Sequence, residues 1–172
     1  MNRDIINRFF GFIIVLLIQI LVLNNVHIAG VITPLLLPYP ILCFHKGANR
    51  MGLLLWSFAA GIIYDMFSDT WGMGTFTNTL LGLIQPGLLN LFSPHDEDDE
   101  ETEFEPGLYS LGIGHFLAYA LFGTFIYHTV FNLLNAFNIS SILYTLVAIG
   151  GGTCITIVII FFTELLIRKR RS

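Results

Sequence analysis

Apolar residues come in long blocks along this chain, separated by short polar clusters. Blocks run over residues 9–23, 26–44, 51–67, 74–92, 108–134 and 139–167. A helix needs about 20 apolar residues to cross a hydrocarbon core of roughly 30 Å, and five of the blocks read as helices of about that order. The second block breaks the pattern. Pro34, Pro38 and Pro40 remove three amide donors and forbid a regular helix there. Its purely apolar part, 31–44, would rise about 21 Å as helix, whereas extended proline-rich backbone covers about 3.1 Å per residue. The block therefore crosses as a broken helix or dips and returns. Non-helical backbone at membrane depth needs protein or a water-filled cavity around it. Within the other blocks, Gln19 is expected to hydrogen-bond to a neighbouring helix. Gln85-Pro86-Gly87 predicts a kink in the fourth helix, and Gly150-Gly151-Gly152 a soft point in the sixth.

Composition agrees with a membrane protein. Of the 172 residues, 55% are apolar and only 12% charged, against about 25% charged in soluble domains, and the mean hydropathy is +0.75. One polytopic domain over 1–172 is expected. Eight of the twelve acids lie between Asp96 and Glu105, so the net charge of −4 reflects one loop and implies nothing about nucleic acid. That loop, within 93–107, reads as a solvated linker, or alternatively as an electrostatic dock for a basic cytoplasmic partner. The eight basic residues form three clusters, at Arg3 and Arg8, at Lys46 and Arg50, and at Arg168, Lys169, Arg170 and Arg171. Six crossings starting inside place every one on the cytoplasmic side, satisfying the positive-inside rule. A re-entrant second block would put Lys46 and Arg50 outside, so the charge count favours crossing. Arg168 to Arg171 then form a cytoplasmic anchor. The first block lacks a small-x-small cleavage site after it and reads as a retained helix.

The chemistry-bearing stretch is 58–74, FAAGIIYDMFSDTWGMG. A carboxylate in lipid-grade sequence costs roughly 2.5–3.5 kcal/mol at a helix centre, so Asp65 and Asp69 require partners. Ser57, Gly61, Asp65 and Asp69 are four apart and form a slowly drifting stripe on one helix face. The small members allow a second helix close approach. Three readings fit the acids. In the structural one, which carries the most weight, Asp69 with Ser68 and Thr70 caps the fourth helix, and Asp65 pins two helices through the 68–79 turn. The others are a docking surface for a partner's segment, and a proton or cation site. Cys43 and Cys154 sit in apolar blocks without a partner motif and read as packing residues. His115 and His128 are thirteen residues apart, about 220° around a helix, and so face nearly opposite ways. No metal or cofactor ligand set accompanies them, and no nucleophile constellation or phosphate-binding loop points to an enzyme.

These residues together resemble a family, the rod shape-determining protein MreD. The matching features are Leu23-Asn24-Asn25-Val26-His27 after the first helix, then Thr33-Pro34 and a proline-rich segment. The fullest match is Phe58-x-x-Gly61-x-x-x-Asp65-x-x-Ser68-x-x-x-Gly72, leading into a threonine-rich fourth helix that ends near Gln85-Pro86. The resemblance covers nearly the whole chain, and its motifs are specific as an ordered set rather than singly. It implies an all-α integral membrane protein of six transmembrane segments, similar in fold to the substrate-binding subunit of energy-coupling vitamin transporters. It also implies a non-enzymatic scaffold of cell-wall elongation in the bacterial plasma membrane. The implied partners are MreC, RodA, a penicillin-binding transpeptidase and the MreB filament, and the implied partner-binding or structural site is Asp65 with the turn to Gly74. The acidic insertion at 96–105 departs from the family pattern. The rival expectation is a small-solute, vitamin-like binding subunit of a transporter, suggested by the broken second segment and the intramembrane acids. It requires a closed polar pocket containing Asp65, whereas a scaffold requires an exposed apolar groove.

Overall fold

The computed structural model describes residues 2–26, 28, 30, 32–93, 105–136 and 142–169, with backbone alone for 2–9 and 167–169. His27, the acidic run 96–104, Arg170 and Arg171 lie outside the described residues, as do the side chains of Arg168 and Lys169. Among the described residues six α-helices follow one another: α1 Asn2–Leu21, α2 Pro38–Leu42, α3 Arg50–Ser68, α4 Met73–Phe92, α5 Ile113–Ala136 and α6 Ile142–Lys169. Among the described residues there is no strand, only a lone antiparallel bridge between Ile28 and Ile32. The helical stretches Arg50–Ser68, Ile113–Ala136 and Ile142–Leu166 are long and apolar enough to cross a membrane. Helix α4 has the length, but its Thr77, Asn78 and Gln85 dilute its hydropathy, and all three are turned inward and buried. Leu55, Ile62, Phe122, Phe125, Leu146 and Phe162 are exposed on the outside of the bundle. So apolar a surface suits lipid far better than water.

Helices α3 and α4 form an antiparallel hairpin held by small residues. A Cβ on Gly61 would lie 2.8 Å from the Thr75 amide nitrogen and 2.9 Å from the Gly74 carbonyl oxygen. One on Gly74 would lie 2.6 Å from a Tyr64 ring carbon, and one on Gly82 would lie 2.9 Å from the Ser57 Cβ. Ser57 and Gly61 thus meet Gly74 and Gly82, four- and eight-residue spacings that put small residues on one face of each helix. The stripe read from the sequence as room for a second helix is filled by the chain's own α4. Pro86 lies inside α4, which runs unbroken to Phe92, and α6 runs unbroken through its three glycines. Two of those glycines make room for neighbours. A Cβ on Gly151 would lie 2.9 Å from Ile32 Cγ1, and one on Gly152 would lie 2.8 Å from the His128 ring.

The prolines break the second block, as expected. After the Ile28–Ile32 reversal, which turns at Gly30 with φ of +73°, residues 33–36 are neither helix nor strand and only Pro38–Leu42 is helical. Its register against α6 follows from three contacts: Ile32 beside Gly151, the Leu35 amide on Thr156, and the Tyr39 hydroxyl on Glu164. Along α6, 151 to 164 is thirteen residues, a rise of about 20 Å. The second block covers this with the seven residues from 32 to 39 and the reach of the Tyr39 side chain, so its chain rises faster than a helix would. It then reaches the other end of the bundle, where Phe44 meets Gln85 near the C-terminus of α4. Leu35, Leu36, Leu37, Ile41 and Leu42 are all buried. Proline excluded a continuous helix here, and the broken segment became the centre of the core.

Gly61→Leu is expected to force α3 off the α4 backbone and destabilise the fold by about 1–3 kcal/mol. A Cβ at Gly150 would meet nothing within 4 Å, so Gly150→Ala should be neutral or stabilising by up to about 1 kcal/mol. Thermal unfolding of both variants in detergent checks the contrast.

Candidate functional site

Asp65 sits on the last turn of α3 and faces the first turn of α4. Its Oδ1 accepts from the Gly74 amide at 2.8 Å and from the Thr70 hydroxyl, and its Oδ2 accepts from the Thr75 amide at 2.8 Å and hydroxyl at 2.6 Å. The reason lies in the turn. Helix α4 begins at Met73 with Gly72 in the cap position, and glycine has no side chain to bond the orphan amides of the first turn. Asp65 supplies that cap from the neighbouring helix, and its charge suits the positive end of the α4 dipole. The expectation that Asp69 caps α4 is corrected here. Asp69 ends α3 in the left-handed region, at φ of 54°, and is exposed. The two carboxylates therefore form no capping or proton-sharing pair: one is saturated with donors and the other faces out. Ser68 is the last residue of α3, and Gly72 takes φ of +87°.

Trp71 is also left-handed, at φ of 40°. For a residue with a Cβ this conformation costs roughly 1–2 kcal/mol. Four donors on Asp65 hold the turn in place.

A second polar group, larger and more deeply buried, surrounds the proline-bearing segment. Gln19 on α1 accepts the Leu36 amide at 2.6 Å and donates to the Pro34 carbonyl at 3.3 Å. Gln19 therefore bonds to the proline-bearing segment and not to a neighbouring helix. On α6 the Thr156 hydroxyl accepts the Leu35 amide at 3.2 Å and meets His128 Nε2 at 3.0 Å. Lower down, the Tyr119 hydroxyl donates to the Leu42 carbonyl at 2.9 Å. Gln85 Nε2 donates to the Phe44 carbonyl at 3.2 Å and to the Tyr119 hydroxyl at 3.1 Å. The Tyr39 hydroxyl donates to Glu164 Oε2 at 2.7 Å, and Glu164 is only 3% exposed. Of the three prolines, Pro34 offers its carbonyl to Gln19 and Pro38 opens α2, with Pro40 two residues on. Gln19, Thr156, Tyr119 and Gln85 thus serve the backbone of the proline-bearing segment, while Tyr39 and Glu164 pair side chain to side chain.

Sequence reasoning passed over Glu164, Tyr39, Tyr119 and Thr156, and read Gln85 only as part of a kink. One signal was present: Glu164 is the sole charged residue between Glu105 and Arg168. Tyr119 and Thr156 carried none, since buried threonines elsewhere in the bundle simply bond their own helix, as Thr124 does with Ala120 and Thr153 with Ile149. His115 is exposed and His128 buried, in keeping with opposite faces. Among the described residues no cluster of histidine, cysteine and acids could hold a metal ion.

The surface carries an open depression of about 550 Å³ on α4 and α5. It is floored by Pro86 and Gly87, walled by Leu83, Leu88, Leu91 and Ile126, and has Arg50 at its rim. Asp65 is not part of it. Compared with models of protein families, with curated proteins and with solved structures, the chain matches none.

Asp65→Ala should uncap α4 and cost about 1–2 kcal/mol in unfolding experiments, while Asp69→Ala should cost less than about 0.5 kcal/mol, as exposed positions do. Equal losses for the two would remove Asp65 from its capping role. Gln19→Leu strands a buried carbonyl and a buried amide, each worth about 1–3 kcal/mol. It should destabilise more than Asp65→Ala and expose the 33–37 segment to hydrogen exchange.

Proposed function

We propose that this chain is a multi-pass membrane scaffold of the MreD type, acting without catalysis in a bacterial cell-wall elongation complex. Six segments cross the plasma membrane, the second as a broken helix, and both termini lie in the cytoplasm with residues 45–50 and 93–107. The observation that carries the reading is where the interior polar groups are spent. Asp65, Gln19, Gln85, Tyr119 and Thr156 all bond the chain's own backbone. A solute-binding subunit would hold such groups around an enclosed polar pocket with Asp65 in its wall. Here both oxygens of Asp65 are taken by Thr70, Gly74 and Thr75.

The small-residue face Ser57–Gly61 is closed by α4, so a partner helix must dock elsewhere. The open depression at Pro86–Gly87 offers the room. A Cβ on Gly87 would meet nothing within 4 Å, and the missing side chain lets an incoming helix approach the backbone. Association in lipid relies on such packing, because lipid tails are as apolar as leucine. MreC, RodA and a penicillin-binding transpeptidase are the partners that the family resemblance suggests, with the MreB filament on the cytoplasmic side.

The test is photocrosslinking from position 91 in native membranes, beside a Gly87→Trp variant that fills the depression. Crosslinks to wall-synthesis membrane proteins are expected, lost in Gly87→Trp at unchanged expression and melting temperature. Absence of any such partner, with a small molecule co-purifying instead, would transfer the assignment to a transport subunit.

A further inference from the structure

The turn between α3 and α4 holds a tryptophan in an unfavourable conformation and buries almost none of it. Trp71 is 88% exposed and left-handed, with Asp69 and Gly72 left-handed on either side of Thr70 and Trp71. Glycine takes positive φ without a Cβ clash, yet the chain places it only at 72. A local rule broken with no gain inside the fold points to a gain outside it. The turn is also not loose, since Asp65 grips it at Thr70, Gly74 and Thr75.

We infer that Trp71 is an anchor for the phospholipid headgroup layer, presented by the Asp65-capped turn on the non-cytoplasmic side. The inference rests on the membrane placement proposed above and not on the family resemblance. Depth is the first argument. Helix α3 has 19 residues from Arg50 to Ser68, about 28 Å at 1.5 Å per residue, close to the roughly 30 Å of a hydrocarbon core. With Arg50 in one headgroup layer, the turn lies in the other. Chemistry is the second. An indole has an apolar body and one N–H donor, and tryptophan gathers where hydrocarbon meets headgroups. The surroundings are the third. Met66, Phe67 and Phe76 are exposed on the adjoining turns of the two helices, so apolar surface leads from the bilayer up to Trp71. A soluble partner would meet that surface only by displacing lipid.

The chain has two tryptophans, Trp56 and Trp71, which makes the test direct. The full-length Trp56→Phe variant, reconstituted into phosphatidylglycerol–phosphatidylethanolamine vesicles, reports on Trp71 alone. Its emission should be shifted to the blue of free tryptophan. It should be quenched several-fold more by lipid brominated near the headgroup than by lipid brominated near the chain ends, and only weakly by acrylamide. Should Trp56→Phe fold poorly, subtracting the Trp71→Phe spectrum from the native one isolates the same signal. Water-like emission with full acrylamide quenching, or strongest quenching by chain-end bromine, overturns the anchor. So does burial of Trp71 that requires an added protein. In Trp71→Phe, Trp56 serves as the control: its quenching by chain bromines upholds membrane placement even if the anchor fails, and its exposure to acrylamide overturns both.

Discussion

A backbone that enters the interior without helical hydrogen bonds must find donors and acceptors from side chains, and this fold is arranged around that demand. In hydrocarbon an unsatisfied peptide group costs several kcal/mol. Residues 32–44 carry three prolines through the centre of the bundle, and helices on every side lend polar groups to them. Gln19 comes from α1, Gln85 from α4, Tyr119 from α5 and Thr156 from α6. These bonds also fix the helices relative to one another, because each donor or acceptor is rooted in a different helix. The polar groups of Gln19, Gln85, Tyr119 and Thr156 thus work as a frame for the chain itself.

The α3–α4 hairpin solves a different problem by similar means. Two helices approach closely because glycines remove the Cβ atoms that would collide, and a tight turn joins them at the cost of a cap. Asp65 restores the cap across the hairpin. One carboxylate therefore accounts for the helix start, the turn geometry and the presentation of Trp71. A chain built this way has little polar surface left to offer a solute and a large apolar exterior to offer lipid or other helices. The scaffold proposal follows from that distribution.

Much of this was legible in the pattern of residues. Blocks of apolar sequence located α3, α4, α5 and α6 to within a few residues, except that α5 starts at Ile113 and not near 108, where Gly112 with φ of +78° delays the helix. The prolines excluded a continuous helix over 26–44 and left only the short α2, since a ring without an amide donor acts locally and needs no tertiary information. The cost of a carboxylate in apolar sequence marked Asp65 for the same reason. Pro86 and the triple glycine end neither helix, because packing against neighbours carries a helix through residues that would weaken it alone.

What local sequence could not contain was the identity of partners distant along the chain. Leu35 bonds Thr156 across 121 residues and Tyr39 bonds Glu164 across 125, and nothing in either neighbourhood announces the other. The choice of cap for α4 was equally hidden in the sequence, where Asp69, four residues before Met73, is the nearer carboxylate and Asp65 lies eight residues away. It was decided by the turn, which swings Asp69 outward in the left-handed region and leaves Asp65 facing the bare amides. Apolar periodicity and proline chemistry act over a few residues and are written in the order of the chain. Which buried polar group meets which depends on how whole helices cross, and that exists only once the chain has folded.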